Sequence, residues 1–215
     1  MKRKLVDIFK RLYSVLGEQH WWPADSVFEV MVGAILTQNT NWSNVEKAIL
    51  ALKKKNFLTA HKLYKLPQKQ LAGLIKSAGY YNVKAARIKS FLKFFFDRYG
   101  AKIKLMGAQD IKTLRTQLLA VKGIGPETAD SILLYALNKP VFVVDTYTKR
   151  ILSRHGLIKA AADYSQLQDI FMRNLDPDVQ LFGEYHALLV KIGKDYCRKQ
   201  NPKCEICPLW PIKNA

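Results

Sequence analysis

The stretch VKGIGPETAD, residues 121–130, carries the strongest fold signal in the chain. Its Lys122–Gly125 turn separates two predicted helices, because glycine tolerates positive φ and close backbone approach and Pro126 suits the first position of a helix. The N–H groups left over where a helix begins can hold a phosphate oxygen, and Lys122 adds positive charge. The stretch therefore predicts a helical hairpin that grips phosphate. The alternative is a plain helix–loop–helix corner in which glycine only relieves strain.

The composition favours a polyanionic partner. The 215 residues include 35 Lys and Arg against 17 Asp and Glu, a formal net charge of +18, and such an excess favours nucleic acid through phosphate neutralisation and counterion release. The alternative is a basic protein whose charge only prevents aggregation. No run approaches the ~18 apolar residues of a membrane span, and the basic N-terminus lacks the features of a signal peptide. We therefore expect a cytoplasmic protein, nucleoid-associated in a prokaryote, with no membrane partner.

The apolar periodicity is helical almost throughout. Segments with this pattern are found at residues 25–37, 43–54, 58–64, 68–77, 82–98, 109–119 and 126–137. Only VFVV, residues 141–144, is β-branched enough for a strand, and it is short. We therefore predict an all-α fold with no internal repeat and no long linker.

Four segments resemble one family of DNA repair enzymes. The first segment is LAVKGIGPETADSILLYAL together with VFVVDTYTKRIL, which follows it closely. The other three are GAILTQNTNW (33–42), GYYNVKAARI (79–88) and GKDYCRKQNPKCEIC (193–207). Together they resemble, in the right order, the endonuclease III superfamily of helix-hairpin-helix DNA glycosylases. This resemblance spans residues 25–210 and is far more specific than any single motif.

The resemblance implies a two-lobed fold with the DNA-binding and active-site groove between the lobes. One helical domain would comprise residues 24–138 and end in the hairpin, and the other would join residues 1–23 to residues 139–215. The partner would be double-stranded DNA with a damaged base, bound by a monomer. Gln38 matches the residue that family members insert into the gap left by base flipping, although it could equally be a surface amide at a helix end. The residues expected to contact DNA are Gln38, Lys122, Gly123, Gly125 and Thr128.

Asp145 is the candidate catalytic carboxylate. From the sequence alone, an aspartate before a helix is more often just its N-cap. The resemblance places Asp145 at the position of the family's catalytic aspartate, which stabilises positive charge on the sugar and orients or activates a water. Both roles can hold together.

Glu127 is the second candidate catalytic residue. Family members with lyase activity carry at this position a lysine whose amine forms a Schiff base with the sugar, and a glutamate cannot form that adduct. The resemblance therefore implies a monofunctional glycosylase that leaves an abasic site. The alternative is an acid that only favours the N-terminal end of the helix dipole.

Three tryptophans are candidates for a base pocket. Trp21, Trp22 and Trp42 fall in or near predicted loops, although a tryptophan is often simply a core filler. The arrangement HWWP…LTQNTNW, with the glutamate in the hairpin, resembles the 3-methyladenine DNA glycosylase III branch, in which matching aromatics form the pocket. An alkylated purine carries positive charge, so stacking on these rings would gain a cation–π component.

The cysteine segment departs from the family pattern. Cys197, Cys204 and Cys207 match the first three ligands of a [4Fe–4S] cluster, but Lys213 occupies the position where the fourth is expected, and four thiolates normally hold such a cluster. Two alternatives stay open: a loop with free thiols held by Pro208, Leu209, Trp210 and Ile212, or a cluster with a different fourth ligand. We expect no cofactor to be required.

These inferences predict a base-excision-repair DNA glycosylase that removes alkylated purines such as 3-methyladenine by hydrolysis. Two alternatives remain. The first is an endonuclease III-like glycosylase and lyase acting on oxidised pyrimidines. The second is a catalytically silent helix-hairpin-helix module that only binds DNA.

Overall fold

The computed structural model describes residues 1–210, and every regular element among them is a helix. The all-α prediction is therefore confirmed. The chain divides into two compact units. We call Ala24–Lys139 the continuous unit, and we call Met1–Pro23 together with the chain from Pro140 onward the discontinuous unit. Within residues 1–210, no helix has both the length and the apolar character needed to cross a lipid bilayer.

The continuous unit contains eight α-helices in the order of the chain. They are α2 (Val27–Leu36), α3 (Trp42–Lys54), α4 (Ala60–Lys65), α5 (Gln68–Leu74), α6 (Tyr81–Tyr99), α7 (Ile103–Gly107), α8 (Ile111–Leu119) and α9 (Pro126–Ser131).

 The first helix of the chain, α1 (Lys2–Leu16), belongs to the discontinuous unit. A 3₁₀ turn, Lys76–Ala78, precedes α6, and a π-helical segment, Ile132–Ala136, continues α9.

The core of the continuous unit is built around α2. All residues of this helix except Val27 are buried, as its near-continuous apolar sequence predicts, and it packs against α3, α6, α9 and the π-helical segment.

Short polar side chains start several helices of this unit. Ser26, Asn41, Thr59 and Asp110 each accept a hydrogen bond from the backbone N–H three residues further on, which satisfies a donor that the helix itself leaves unpaired.

The discontinuous unit contains α1 and the helices α10 (Thr146–Arg154), α11 (Tyr164–Asn174) and α12 (Val179–Asp195). α1 packs against α11 and α12, and α10 packs against α12. Its core is aromatic. Phe142 stacks on Phe171 with ring centroids 3.7 Å apart, and Phe182 and Tyr185 meet Phe142 edge-on.

The strand suggested at residues 141–144 does not form. The segment is buried but has no partner strand among residues 1–210. Side chains of α11 satisfy its backbone instead, because Gln168 donates to the Phe142 carbonyl at 2.7 Å and the Phe142 N–H points to the sulfur of Met172 at 3.3 Å. The β-branched composition therefore marked a buried extended segment, which leads directly into Asp145.

Candidate active site

The hairpin at residues 121–130 forms between α8 and α9. Gly123 has a φ of +90°, whereas Gly125 is extended, with φ −96° and ψ 177°, so only Gly123 uses the left-handed freedom of glycine. Ile124 between them is buried and Lys122 is exposed. The turn is thus anchored by its apolar residue and presents its lysine to solvent, and its contact with phosphate stays a prediction.

A side-chain network lies behind this turn. The Gln38 amide nitrogen donates to the Gly123 carbonyl at 3.0 Å and to the Thr128 hydroxyl at 2.9 Å, and the Gln38 carbonyl accepts from Arg87 of α6. A Cβ on Gly123 would overlap Cγ of Arg87. Gln38, Thr128 and Arg87 therefore hold the turn in its shape, and the insertion of Gln38 into DNA stays a prediction.

An ion pair joins the two helices of the hairpin. Arg115 of α8 binds Asp130 of α9 through two hydrogen bonds, Nε to Oδ1 at 2.7 Å and a terminal nitrogen to Oδ2 at 3.0 Å. The Asp130 side chain has no exposed surface. Glu127, by contrast, is exposed in the first turn of α9, where its negative charge favours the helix dipole. Its catalytic role stays a prediction.

Asp145 caps α10. Its Oδ1 accepts from the Thr148 N–H at 2.7 Å and from the Thr148 hydroxyl at 2.8 Å. The side chain is 10% exposed. The structure therefore supports the N-cap interpretation, and because the cap uses only Oδ1, it leaves Oδ2 for a second role.

His186 of α12 lies beside that second oxygen. Its Nε2 is 3.7 Å from Asp145 Oδ2, within ion-pair range but beyond hydrogen-bond range, and its side chain is 8% exposed. Burial raises the pKa of Asp145, but the interactions with His186 and the hydrogen bonds from Thr148 outweigh burial, so this pKa lies below its ordinary value. The site thus holds a carboxylate that is nearly buried and ionised. His186 cannot be predicted from the sequence, because nothing in the local sequence of α12 distinguishes it from an ordinary core histidine.

The candidate pocket tryptophans belong to different units. Trp21 and Trp22 are half-buried in the discontinuous unit, with ring centroids 5.6 Å apart, and the Lys194 ammonium lies 5.8 Å from the centroid of the Trp21 ring. Trp42 is half-buried at the first residue of α3 in the continuous unit. Their role in binding a base stays a prediction.

Two arginines of α10 hold the cysteine loop. Arg150 donates to the carbonyls of Cys197 at 2.6 Å and Gly193 at 2.9 Å. Arg154 donates to the carbonyls of Arg198 at 2.7 Å and Lys199 at 3.1 Å, and to the Cys197 sulfur at 3.4 Å. The helix that Asp145 caps therefore also anchors this loop.

The chain supplies three cysteines, one fewer than the four thiolates that normally hold a [4Fe–4S] cluster. Cys197 and Cys207 are buried and Cys204 is exposed, and burial raises the pKa of the Cys207 thiol. Among residues 1–210, no three His, Cys, Asp or Glu side chains are grouped closely enough to hold a metal ion. Lys213 and Ile212 lie outside the described residues. A cluster at Cys197, Cys204 and Cys207 thus stays untested, and we derive no chemistry from it.

Sequence comparisons identify a family and two relatives. A family model described as "HhH-GPD superfamily base excision DNA repair protein" matches residues 32–177. The chain is 45% identical over 214 residues to a candidate DNA repair glycosylase of Methanocaldococcus jannaschii, with 97% of each chain covered. It is 31% identical over 180 residues to endonuclease III of Thermotoga maritima, and the alignment covers 84% of this chain and 79% of the relative.

A solved structure shares the fold. The 3-methyladenine DNA glycosylase MagIII of H. pylori, bound to 1,N6-ethenoadenine, matches with a TM-score of 0.77 and 28% identity, covering 87% of this chain and 96% of that chain. The resemblance to the endonuclease III-like superfamily is therefore confirmed. The chain belongs to the HhH-GPD superfamily of base excision DNA repair proteins, and it is a DNA glycosylase.

Proposed function

We propose that this glycosylase is monofunctional and removes alkylated purines, such as 3-methyladenine, from double-stranded DNA by hydrolysis of the N-glycosidic bond. The observation that carries the proposal is the nearly buried, ionised Asp145 at the start of α10. We also propose that the enzyme acts as a monomer in the cytoplasm, or at the nucleoid in a prokaryote, and that it requires no cofactor.

Asp145 supports the hydrolysis through its charge. When the bond between the base and C1′ breaks, the base leaves with the electron pair and the sugar becomes positively charged. A carboxylate fixed in a site of low polarity stabilises that charge without reorganising. The oxygen left by the cap, Oδ2, can also accept a proton from the water that attacks C1′.

Glu127 supports the monofunctional reaction. Strand cleavage by a glycosylase of this family requires an amine that attacks the sugar, and the hairpin offers a carboxylate in its place. Lys149, the lysine on α10 near Asp145, donates to the Ala162 carbonyl at 2.7 Å, which ties its ammonium to the segment before α11.

The likeness to MagIII supports alkylated purines. That enzyme is a 3-methyladenine glycosylase and was solved with an ethenoadenine base. Trp21 and Trp22 offer π-surfaces, on which a positively charged base stacks with a cation–π gain that a neutral base lacks.

A second candidate is an endonuclease III-like enzyme that excises oxidised pyrimidines and cuts the strand. The 31% identity to the Thermotoga maritima endonuclease III over 84% of this chain favours it. The two candidates differ in the released base and in the covalent intermediate.

A lesion panel tests the substrate. Duplexes containing 3-methyladenine, 1,N6-ethenoadenine or an oxidised pyrimidine are incubated with the protein and then treated with alkali, which cuts abasic sites. We expect alkali-dependent cleavage only of the duplexes with alkylated purines. Cleavage of the oxidised pyrimidine without alkali would establish the second candidate instead.

Asp145→Asn tests the catalytic carboxylate. Asparagine keeps the N-cap, so α10 should remain intact while the negative charge is lost. We expect DNA binding to persist and single-turnover base release to fall by at least about a hundredfold. Base release at the wild-type rate would refute the role of Asp145.

Borohydride trapping tests the absence of lyase chemistry. The wild type should give no covalent protein–DNA adduct, whereas Glu127→Lys supplies an amine at the hairpin and is expected to be trapped. An adduct with the wild-type protein would contradict a monofunctional mechanism.

A further inference from the structure

His186 is a buried, titratable group that the reaction described above does not use. It lies in the middle of α12, which packs against α10. Its imidazole is 8% exposed, and its Nε2 is 3.7 Å from Oδ2 of Asp145. The two side chains belong to the same unit, so their contact is part of the internal packing of that unit.

The two oxygens of Asp145 have different surroundings. Oδ1 accepts two hydrogen bonds from Thr148, at 2.7 and 2.8 Å, and this is the N-cap of α10. Oδ2 faces the imidazole. The oxygen that the cap leaves for chemistry is therefore the one that His186 approaches.

We propose that His186 is a positioning residue for the glycosylase reaction, which orients Oδ2 of Asp145 toward the sugar and keeps it from turning away. The inference rests on the proposed role of Asp145. The χ2 torsion of aspartate is broad, so hydrogen bonds to Oδ1 alone leave the plane of the carboxylate free to rotate about Oδ1. An imidazole on the other side removes that freedom.

The distance suits such a role. At 3.7 Å, His186 stabilises the carboxylate by charge or dipole but does not hold Oδ2 in a short hydrogen bond, so the oxygen stays available to the sugar and the water. Catalytic contacts are often long in a free enzyme and tighten when substrate binds. Misplacement of a reacting group by even ~1 Å can cost about a hundredfold in rate.

A packing role is the competing explanation. Tyr185, the preceding residue of α12, is also buried, and its hydroxyl donates to the Leu5 carbonyl of α1 at 3.0 Å. Tyr185→Phe removes this hydrogen bond without touching Asp145, so it is a matched control for a general loss of stability in the same helix.

The experiment compares His186→Gln, His186→Asn and His186→Leu with Tyr185→Phe in the full-length protein. Glutamine places its amide nitrogen near the position of Nε2, asparagine places it near Nδ1, and leucine removes the polar atoms. The measurements are the single-turnover rate of base release, the Kd for a duplex with an abasic-site analogue, and the Tm.

We expect His186→Leu to lower the single-turnover rate at least about tenfold while the Kd changes by less than about threefold. His186→Gln should recover most of the rate and His186→Asn should not, a contrast that remains available if His186→Leu does not fold. Tyr185→Phe should lower the Tm but keep the rate.

Three outcomes would overturn the inference. They are a wild-type rate in His186→Leu, equal rates in the glutamine and asparagine variants, and a loss of rate that Tyr185→Phe reproduces. If the wild type releases no base from any duplex, both the proposed function and this inference fail. If the wild type is active, Asp145→Asn is inactive and His186→Leu is fully active, only the inference fails.

Discussion

Lys84 shows that a charged side chain can cost free energy by being buried and still stabilise the local structure. It lies in the first turns of α6 with no exposed surface, and its ammonium donates to the Ala78 carbonyl at 2.6 Å. That carbonyl belongs to the 3₁₀ turn before α6, so Lys84 ties the turn to the helix. Burial, with a smaller contribution from the charge of Arg87, lowers the pKa of Lys84 to about 8.

The pH dependence of stability tests this lysine. Between pH 8 and the ordinary lysine pKa of about 10.4, the unfolded chain binds the proton more than the folded one, so the free energy of unfolding should rise with pH. The gain is roughly 3 kcal/mol over this window, and Lys84→Met should lack it. Urea unfolding at several pH values between about 7.5 and 10.5 gives the free energy of unfolding of both proteins. The contributions of other titrating groups cancel in the difference between the two. Parallel curves would contradict the lowered pKa.

At the scale of elements, buried polar contacts connect helices that apolar packing alone would not orient. The hairpin is the clearest case. Arg115 and Asp130 join α8 to α9, and Gln38 and Arg87 hold the intervening turn. The geometry of this turn therefore depends on Gln38, which follows α2, and on Arg87 of α6 as well as on Gly123.

Arg115→Met should destabilise the hairpin by about 3 kcal/mol, because it leaves the buried Asp130 carboxylate without the guanidinium. Adding Asp130→Leu should recover much of this loss, since the buried charge is then gone. Chemical unfolding measures both changes. Lys93→Met, which breaks an exposed i, i+4 pair with Asp97 on α6, is the control and should leave stability almost unchanged, because water screens such a pair. A loss no larger than this control would show that the buried pair contributes little.

At the scale of the whole molecule, charge determines the partner and its salt dependence. A formal net charge of +18 spread over 215 residues attracts DNA before any specific contact forms. Each phosphate that a lysine or arginine neutralises adds ~0.9 to the slope of log affinity against log salt. The number of phosphate contacts is therefore measurable without a structure of the complex.

Lys122→Ala should reduce this salt slope by about one and weaken binding equally for damaged and undamaged duplexes, because a phosphate contact carries no sequence information. Fluorescence anisotropy at several salt concentrations gives the slopes. Lys65→Ala, an exposed lysine at the end of α4, serves as the matched control. An unchanged slope in Lys122→Ala would remove this lysine from the phosphate grip.

The sequence by itself determined most helices of the continuous unit, the N-cap at Asp145 and the hairpin turn. The physical reason is that helix periodicity, an N-cap three residues before its donor, and a glycine at positive φ are interactions within a few residues. In agreement with the predicted all-α fold, residues 141–144 form no strand: β-branched residues favour extended backbone, but a strand needs a partner, and here α11 satisfies the segment instead. Only the tertiary structure decided which distant side chains meet. It placed His186 beside Asp145, Arg115 beside Asp130, and Gln38 with Arg87 behind Gly123. These contacts depend on how helices pack, and no local pattern in the chain encodes them.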